Sequence, residues 1–305
     1  MAAGALLELN PNVANAVDEA IATARHAFVA GVRQLWVPQF YDFDAISLAG
    51  IIGAAVPGLG VGTAAVPINP RHPLTLSYAA QTAQAAAHGN FSLGLGLGAH
   101  SVEQHSFGIS AVNTIQRLRE HLTVLTSIQA DGAVKFHGQE ITAVSPAFPV
   151  VLSGGVPYPI YVAAMGPRAL QVTGELADGT LPHLAGPRTI EEFIAPTISK
   201  VAAEAGRPRP RIIAMVPVAV TDDVDAARDE AAARLAFYDT VRSYRTVMDR
   251  EGVVGAADLA VIGSALSVSR RLRTYVDAGA TDLVLSSIST ESVATRRLWE
   301  VAANL

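Results

Sequence analysis

The loops that join apolar runs to helices carry the residues of this chain best suited to chemistry. Gly98-Ala99-His100-Ser101 and Met165-Gly166-Pro167-Arg168 each pair small residues with a helix start, so backbone N–H groups can approach an anion there. Either run can equally serve as a plain tight turn. His100 and His183 stand just past apolar runs and are the acid–base candidates, because imidazole titrates near neutrality; each can instead hydrogen-bond loop backbone. His26, His88, His121 and His137 fall in helices or a hairpin, where packing and surface roles suffice, and His72 reads as fixing its loop. No histidine pair has metal-ligand spacing and no HExxH occurs, so no metal is expected. Ser153-Gly154-Gly155 is no GxSxG elbow and precedes an apolar run. Glu103, Asp42 and Asp178 stand alone, whereas glycoside chemistry needs paired carboxylates. A site so poor in ionisable groups suits a planar cofactor that brings its own reactivity, with the protein supplying shape and a few hydrogen bonds.

The elements that must position these residues alternate. Apolar runs at 5–9, 34–38, 59–66, 92–97, 159–164, 179–181, 212–220 and 281–286 lack polar alternation, as strands covered on both faces do. Between them lie stretches with apolar spacing of three and four, including a helix capped by Asn12 and stopped at Gly31. The grammar is α/β, and about eight strands give the count of a (β/α)8 TIM barrel. A doubly wound sheet shares this grammar, but Gly94-Leu95-Gly96-Leu97-Gly98 lacks the GxGxxG spacing and follows the fourth strand. Two stretches read as insertions at barrel loops: a hairpin at 133–150 and a helical one at 223–259 able to wall or lid a site. The active site of such a barrel lies at the C-terminal ends of its strands, where both candidate loops and His183 fall.

Composition narrows the partners. The 305 residues carry a formal net charge of -5, half are hydrophobic and none is cysteine. A scattered, slightly acidic charge leaves no footprint for nucleic acid, and the charge-free stretch 46–68 is punctuated by Pro and Gly, against a membrane span. Without cysteine there is no disulfide and no thiolate chemistry, which fits a reducing, cytoplasmic setting. A small-molecule substrate is expected.

Several motifs together resemble one family. Leu35-Trp36-Val37-Pro38-Gln39, Gly62-Thr63-Ala64-Ala65-Val66-Pro67 with Pro70-Arg71-His72-Pro73, Leu93-Gly94-Leu95-Gly96-Leu97-Gly98 and Arg119-Glu120-His121-Leu122 occur in the order seen in the luciferase-like monooxygenase superfamily. More closely, the chain resembles the actinobacterial branch that uses the deazaflavin coenzyme F420. The likeness continues through Ala164-Met165-Gly166-Pro167-Arg168 to Asp277-Ala278-Gly279-Ala280-Thr281-Asp282 and so covers nearly the whole chain as one domain, 1–305. It implies a bacterial-luciferase-like barrel with the coenzyme at the C-terminal mouth, and a non-prolyl cis peptide in a bulge of the third strand, matching Ala64-Ala65. The implied cofactor-binding residues are Thr63, Ala64, Ala65, Gly98, Ala99, His100, Ala164, Met165, Gly166 and Pro167. A homodimer is a further expectation.

The chain departs from the sugar-phosphate dehydrogenases of that branch. Their acid–base histidine and glutamate align with Gln39 and Ala99, so sugar-phosphate oxidation is not expected. The reading is an F420-dependent oxidoreductase that passes a hydride to an activated C=C, C=O or C=N bond. His100 would deliver a proton, Gln39 would hydrogen-bond the acceptor, and Phe40, Tyr41 and His183 would line the substrate. Two alternatives remain: an FMN-dependent two-component monooxygenase, and a flavin- or deazaflavin-binding barrel without turnover.

Overall fold

A computed structural model of the chain describes residues 2–10, 12–98, 100–109, 113–289 and 291–305 and, within these, all side chains but those of Ala2, His100 and Ser101. Eight parallel strands close on themselves as a TIM barrel. In chain order they are Ala2–Leu6, Gln34–Val37, Gly60–Thr63, Phe91–Gly96, Ile160–Val162, Gly179–Thr180, Arg211–Val220 and Asp282–Ser287, with the seventh pairing both the sixth and the eighth. Alternation sends one set of side chains outward into the main core against the helices, and the other into the barrel. Leu35, Val37, Leu93, Leu95, Ile160 and Val162 belong to the outer set. Trp36, Ala64, Tyr161, Leu181, Ile213, Met215 and Val284 pack inside, joined by Leu6 and Ala163.

The third and fourth strands slip by one residue. Val61 opposes Phe91 and Gly62 opposes Ser92, yet further on Val66 opposes Leu95 and Pro67 opposes Gly96. Thr63, Ala64 and Ala65 therefore stand against Leu93 and Gly94, a bulge of one extra residue, and the Ala64–Ala65 peptide within it is cis. The buried Thr63 hydroxyl replaces the interrupted ladder, donating to the Gly94 carbonyl and accepting from the Gly94 N–H, each at 2.9 Å. A Cβ on Gly94 would lie 1.9 Å from the Thr63 carbonyl oxygen, so only glycine fits there.

Both insertions are present. The hairpin pairs Lys135–His137 with Thr142–Val144 in antiparallel register. The helical insertion consists of Val224–Asp239, Arg242–Glu251 and a short 3-10 turn at Ala256–Leu259. Three boundaries differ from expectation. The first strand is Ala2–Leu6, not 5–9, because small residues with weak strand preference fill a crowded position: a Cβ on Gly4 would meet the Gln34 carbonyl oxygen at 2.7 Å. Asn15, not Asn12, caps the first helix, accepting from the Val17 N–H at 2.9 Å. A further strand, Val261–Gly263, pairs with the overhanging end of the seventh strand. Among the described residues no helix is long and apolar enough to cross a membrane.

One carboxylate anchors the hairpin. Buried Glu120 accepts from the backbone N–H groups of Gln139, Glu140 and Ile141 at 2.7, 2.9 and 2.7 Å, and from the Gln116 amide at 2.8 Å. Burial opposes its charge, but these hydrogen bonds outweigh it and hold the carboxyl below its ordinary value. Stability from this group is thus complete above the ordinary carboxylate range and lost as pH falls through the lower folded value. Glu120→Ala should cost about 2 kcal/mol in urea denaturation at neutral pH, and the gap to wild type should close in acid.

Candidate active site at the barrel mouth

Two unlike sides face each other across the C-terminal mouth. On the side of the third to fifth strands the wall is nearly bare. The glycines of the Gly94-Leu95-Gly96-Leu97-Gly98 run take the inward positions while Leu93 and Leu95 fill the outer core. The Ala64–Ala65 bulge lies against them, with the Ala65 Cβ 3.7 Å from the place of a Cβ on Gly96. Beyond, Gly98 has φ +77° and the buried Glu103 carboxylate occupies the space its side chain would need. Glu103 accepts from the Asn69 amide at 2.7 Å. On the fifth strand's loop, Gly166 caps the helix Pro167–Leu176 with no side-chain oxygen, and nothing stands within 4 Å of where its Cβ would be. A flat ring with an anionic tail fits a wall of this kind, since peptide groups can approach the ring and open N–H groups can meet the anion. Trp36 and Tyr161, with ring centroids 6.1 Å apart, lie in the barrel interior below.

The opposite side carries the polar groups. Glu8 lies two residues beyond inward-facing Leu6, just past the C-terminal end of the first strand, with its side chain partly exposed. Burial pushes its carboxyl up to about 7, against the partial opposition of the Arg234 guanidinium 3.8 Å away. Arg234 also donates to the Ile288 carbonyl at 2.7 Å, just past the eighth strand. Tyr238, one helical turn from Arg234 on the same face of Val224–Asp239, lies against His183 with centroids 5.0 Å apart. The first insertion helix therefore reaches from the ends of the eighth and first strands to that of the sixth. Tyr244 of the second helix completes the cluster, 6.0 Å from His183 and 4.7 Å from Tyr238. Burial pushes the His183 imidazole down to about 4, partly offset by the Met215 carbonyl, so the ring is neutral at physiological pH.

The insertion is clamped in place. Glu251 accepts from the Thr189 and Arg188 N–H groups at 2.8 and 3.3 Å, and the Arg250 guanidinium lies 3.7 Å from the Phe193 ring centroid. Beneath it Leu184, Ala219, Ala231, Leu235, Met248, Leu259 and Ile288 form a separate apolar cluster.

A family model described as luciferase-like monooxygenase matches residues 4–282 of the chain. The chain belongs to that family. Among luciferase-like relatives, the 5,10-methylenetetrahydromethanopterin reductase of Archaeoglobus fulgidus is 28% identical over 229 residues, 73% of this chain and 67% of that protein. A putative coenzyme F420-dependent oxidoreductase of Mycobacterium tuberculosis is 24% identical over 68% of this chain and 64% of its own. Two solved structures show the same fold. The coenzyme F420-dependent tetrahydromethanopterin reductase of Methanopyrus kandleri superposes with a TM-score of 0.82 at 20% identity, covering 99% of this chain and 98% of that one. The FMN complex of the oxygenating constituent of 3,6-diketocamphane monooxygenase from Pseudomonas putida gives 0.78 at 16%, covering 99% and 97%.

Against this luciferase-like barrel the expected site residues divide. Ala64, Ala65, Gly98, Gly166 and Pro167 gather along the bare wall, Met165 packs against the main core, and His183 stands just past the sixth strand against Tyr238. Thr63 is fully buried and Ala164 turns into the outer core, so neither presents a side chain to the mouth. The Gln39 amide is occupied: it donates to the Phe40 and Phe43 carbonyls, both at 2.6 Å, and accepts from the Ala45 N–H and from Arg71. Arg71 in turn pairs with Asp44, and against the effect of burial the Ser47 N–H, followed by Arg71, holds that carboxyl below its usual range. Phe40 and Tyr41 stand exposed on the rim, Tyr41 stacked on Phe107. Ala99 and the His100 side chain lie outside what the structure describes.

Glu8, Arg234, Tyr238 and Tyr244 were not anticipated. An expected strand at 5–9 placed Glu8 within the ladder; an acid closing the first apolar run was its one signal. In a carbon-13 NMR titration the Glu8 carboxyl, assigned by its loss in Glu8→Gln, should show a midpoint near 7, and Arg234→Gln should move it higher.

Proposed function

We propose that this luciferase-like protein is an oxidoreductase that uses coenzyme F420 to reduce an activated double bond or carbonyl of a small organic molecule. The observation that carries the reading is the wall at Ala64–Ala65, Gly96 and Gly98, bare enough for a flat ring, with Glu8 paired to Arg234 at the end of the first strand. The relatives whose names include F420 or a reductase activity support it.

The residues of the wall suit the coenzyme. Ala64, Ala65, Gly96 and Gly98 would lie along the ring, while Gly166 and the N-terminus of the helix Pro167–Leu176 would meet the acidic tail. When bound and reduced, a deazaflavin supplies a hydride. A substrate that accepts it must also take a proton, on oxygen or on the neighbouring carbon. Glu8, pushed up by burial to about 7, would be protonated in part at neutral pH and so could act as the general acid that supplies it. Arg234, 3.8 Å away, then steadies the carboxylate left behind. Trp36, Tyr161, Leu181 and Met215 keep the interior below apolar and exclude water.

Paired titrations with F420 and with FMN test the coenzyme, followed by absorbance and fluorescence quenching. Micromolar binding of F420 alone is expected, whereas tight binding of FMN alone would overturn the assignment in favour of an oxygenase. With a reducible acceptor in hand, kcat should fall as pH rises through about 7, because the acid must be protonated. Glu8→Gln should lower kcat about a hundredfold and leave F420 affinity unchanged.

A further inference from the structure

A buried acid beside the bare wall takes no part in the proton transfer. Glu103 stands in the first turn of the helix His100–Phe107 and is 4% exposed. Its Oε2 accepts from the Asn69 amide at 2.7 Å, and the same amide nitrogen donates to the Leu97 carbonyl at 3.4 Å. Asn69, itself buried, follows the bulge of the third strand, and its backbone carbonyl accepts from the Arg117 guanidinium at 3.1 Å. A Cβ on Gly98 would lie 1.9 Å from the Glu103 Oε1 and 2.7 Å from its Oε2, so the carboxylate packs directly against the Gly98 turn.

Glu103 Oε1, Asn69 Oδ1 and Arg117 Nε are shielded from solvent and lack a hydrogen-bond partner among the described residues. Shielded polar atoms left so cost free energy. Closure of the barrel does not require them. Val66 and Pro67 pair with Leu95 and Gly96, and the Ile68 N–H donates to the Gly96 carbonyl at 3.0 Å, which ends the ladder between the third and fourth strands. Leu97 and Gly98 lie past that last rung. There the Asn69 amide joins the two loops, and the Glu103 carboxylate fills the space at the turn, where Gly98 has φ +77°. Support of this kind fixes the geometry of a binding surface without touching the ligand.

We infer that Glu103 is a positioning residue for the coenzyme: through Asn69 and Gly98 it sets the outer edge of the wall along which the ring lies. The inference rests on the bare wall being the coenzyme site. Glu103 acts on coenzyme affinity and not on proton transfer, so its loss raises the KM for the coenzyme, whereas loss of Glu8 lowers kcat.

Fluorescence-quenching titration with F420 of the wild type, Glu103→Ala, Glu103→Gln, Asn69→Ala and the double alanine variant tests this, with urea denaturation of each protein alongside. Glu120→Ala, which removes the carboxylate that anchors the hairpin, is the control for a purely structural loss. Glu103→Ala and Asn69→Ala should each weaken F420 binding about tenfold, the effect of one or two hydrogen bonds, and the double variant should be no weaker than either, because the two residues act as one contact. Glu103→Gln keeps an acceptor for the Asn69 amide and should restore affinity to within about threefold of wild type. Glu120→Ala should lose stability and bind F420 as the wild type does. Asn69→Ala, which leaves the acid in place, decides the matter if Glu103→Ala does not fold. Unchanged affinity in the alanine variants, effects that add in the double variant, no rescue by glutamine, or equal weakening by Glu120→Ala would each overturn the inference and leave the coenzyme reading standing. A wild type that does not bind F420 would overturn that reading and the inference with it, an outcome seen before any variant is compared.

Discussion

The seventh strand, Arg211–Val220, is too long for the barrel it closes, and much of the site depends on how its ten residues are shared. Its first residues pair with Gly179 and Thr180 and seal the ring, the middle runs beside the eighth strand, and the last three pair with Val261–Gly263 outside it. The closing end is pinned by the Arg211 guanidinium on Asp282, a carboxylate almost wholly buried that also accepts from the Thr281 hydroxyl at 2.7 Å. Removing one partner of such a pair would leave an uncompensated charge, which makes the register at this seam strict. The free end overhangs the mouth, and from it the chain can only turn back as the insertion helices. Closure of the barrel and cover of its mouth thus follow from one strand.

On the far side a single extra residue does comparable work. The bulge at Thr63–Ala65 bends the third strand toward the fourth, and the Thr63 hydroxyl repairs the ladder it interrupts. Alternation then explains the Gly-Leu-Gly-Leu-Gly run without any appeal to nucleotide-binding fingerprints. The leucines pack outward into the core, and the glycines leave the inner face free of side chains. Gly94 is required by the Thr63 carbonyl and Gly98 by the Glu103 carboxylate, so the bare wall is a by-product of two close approaches.

The chemistry arises where these two constructions meet. Neither Glu8 nor His183 has an unusual neighbour in sequence. Burial beneath the insertion raises one to about 7 and lowers the other to about 4, giving a proton donor and a neutral hydrogen-bonding ring near neutral pH. Arg234 and Tyr238, one turn apart on one helix, reach the ends of three different strands and so tie the polar groups into one surface.

The sequence by itself determined the architecture, because a parallel barrel covered on both faces writes its strands as apolar runs and its helices as spacing of three and four. Seven strands from Gln34 onward, the hairpin, the insertion and the bare loops at Gly98 and Gly166 were legible for that reason, and the family motifs added the bulge at Ala64-Ala65. Gln39 was legible as a position but not as a role, since nothing local foretells that its amide is consumed by Phe40, Phe43, Ala45 and Arg71. Only the tertiary structure decided the polar side of the mouth. Small residues Ala2 to Ala5 hid the true first strand and with it the place of Glu8, while Arg234, Tyr238 and Tyr244 lie more than two hundred residues away. Their meeting depends on an overhanging strand and on burial, which are long-range properties that no local pattern records.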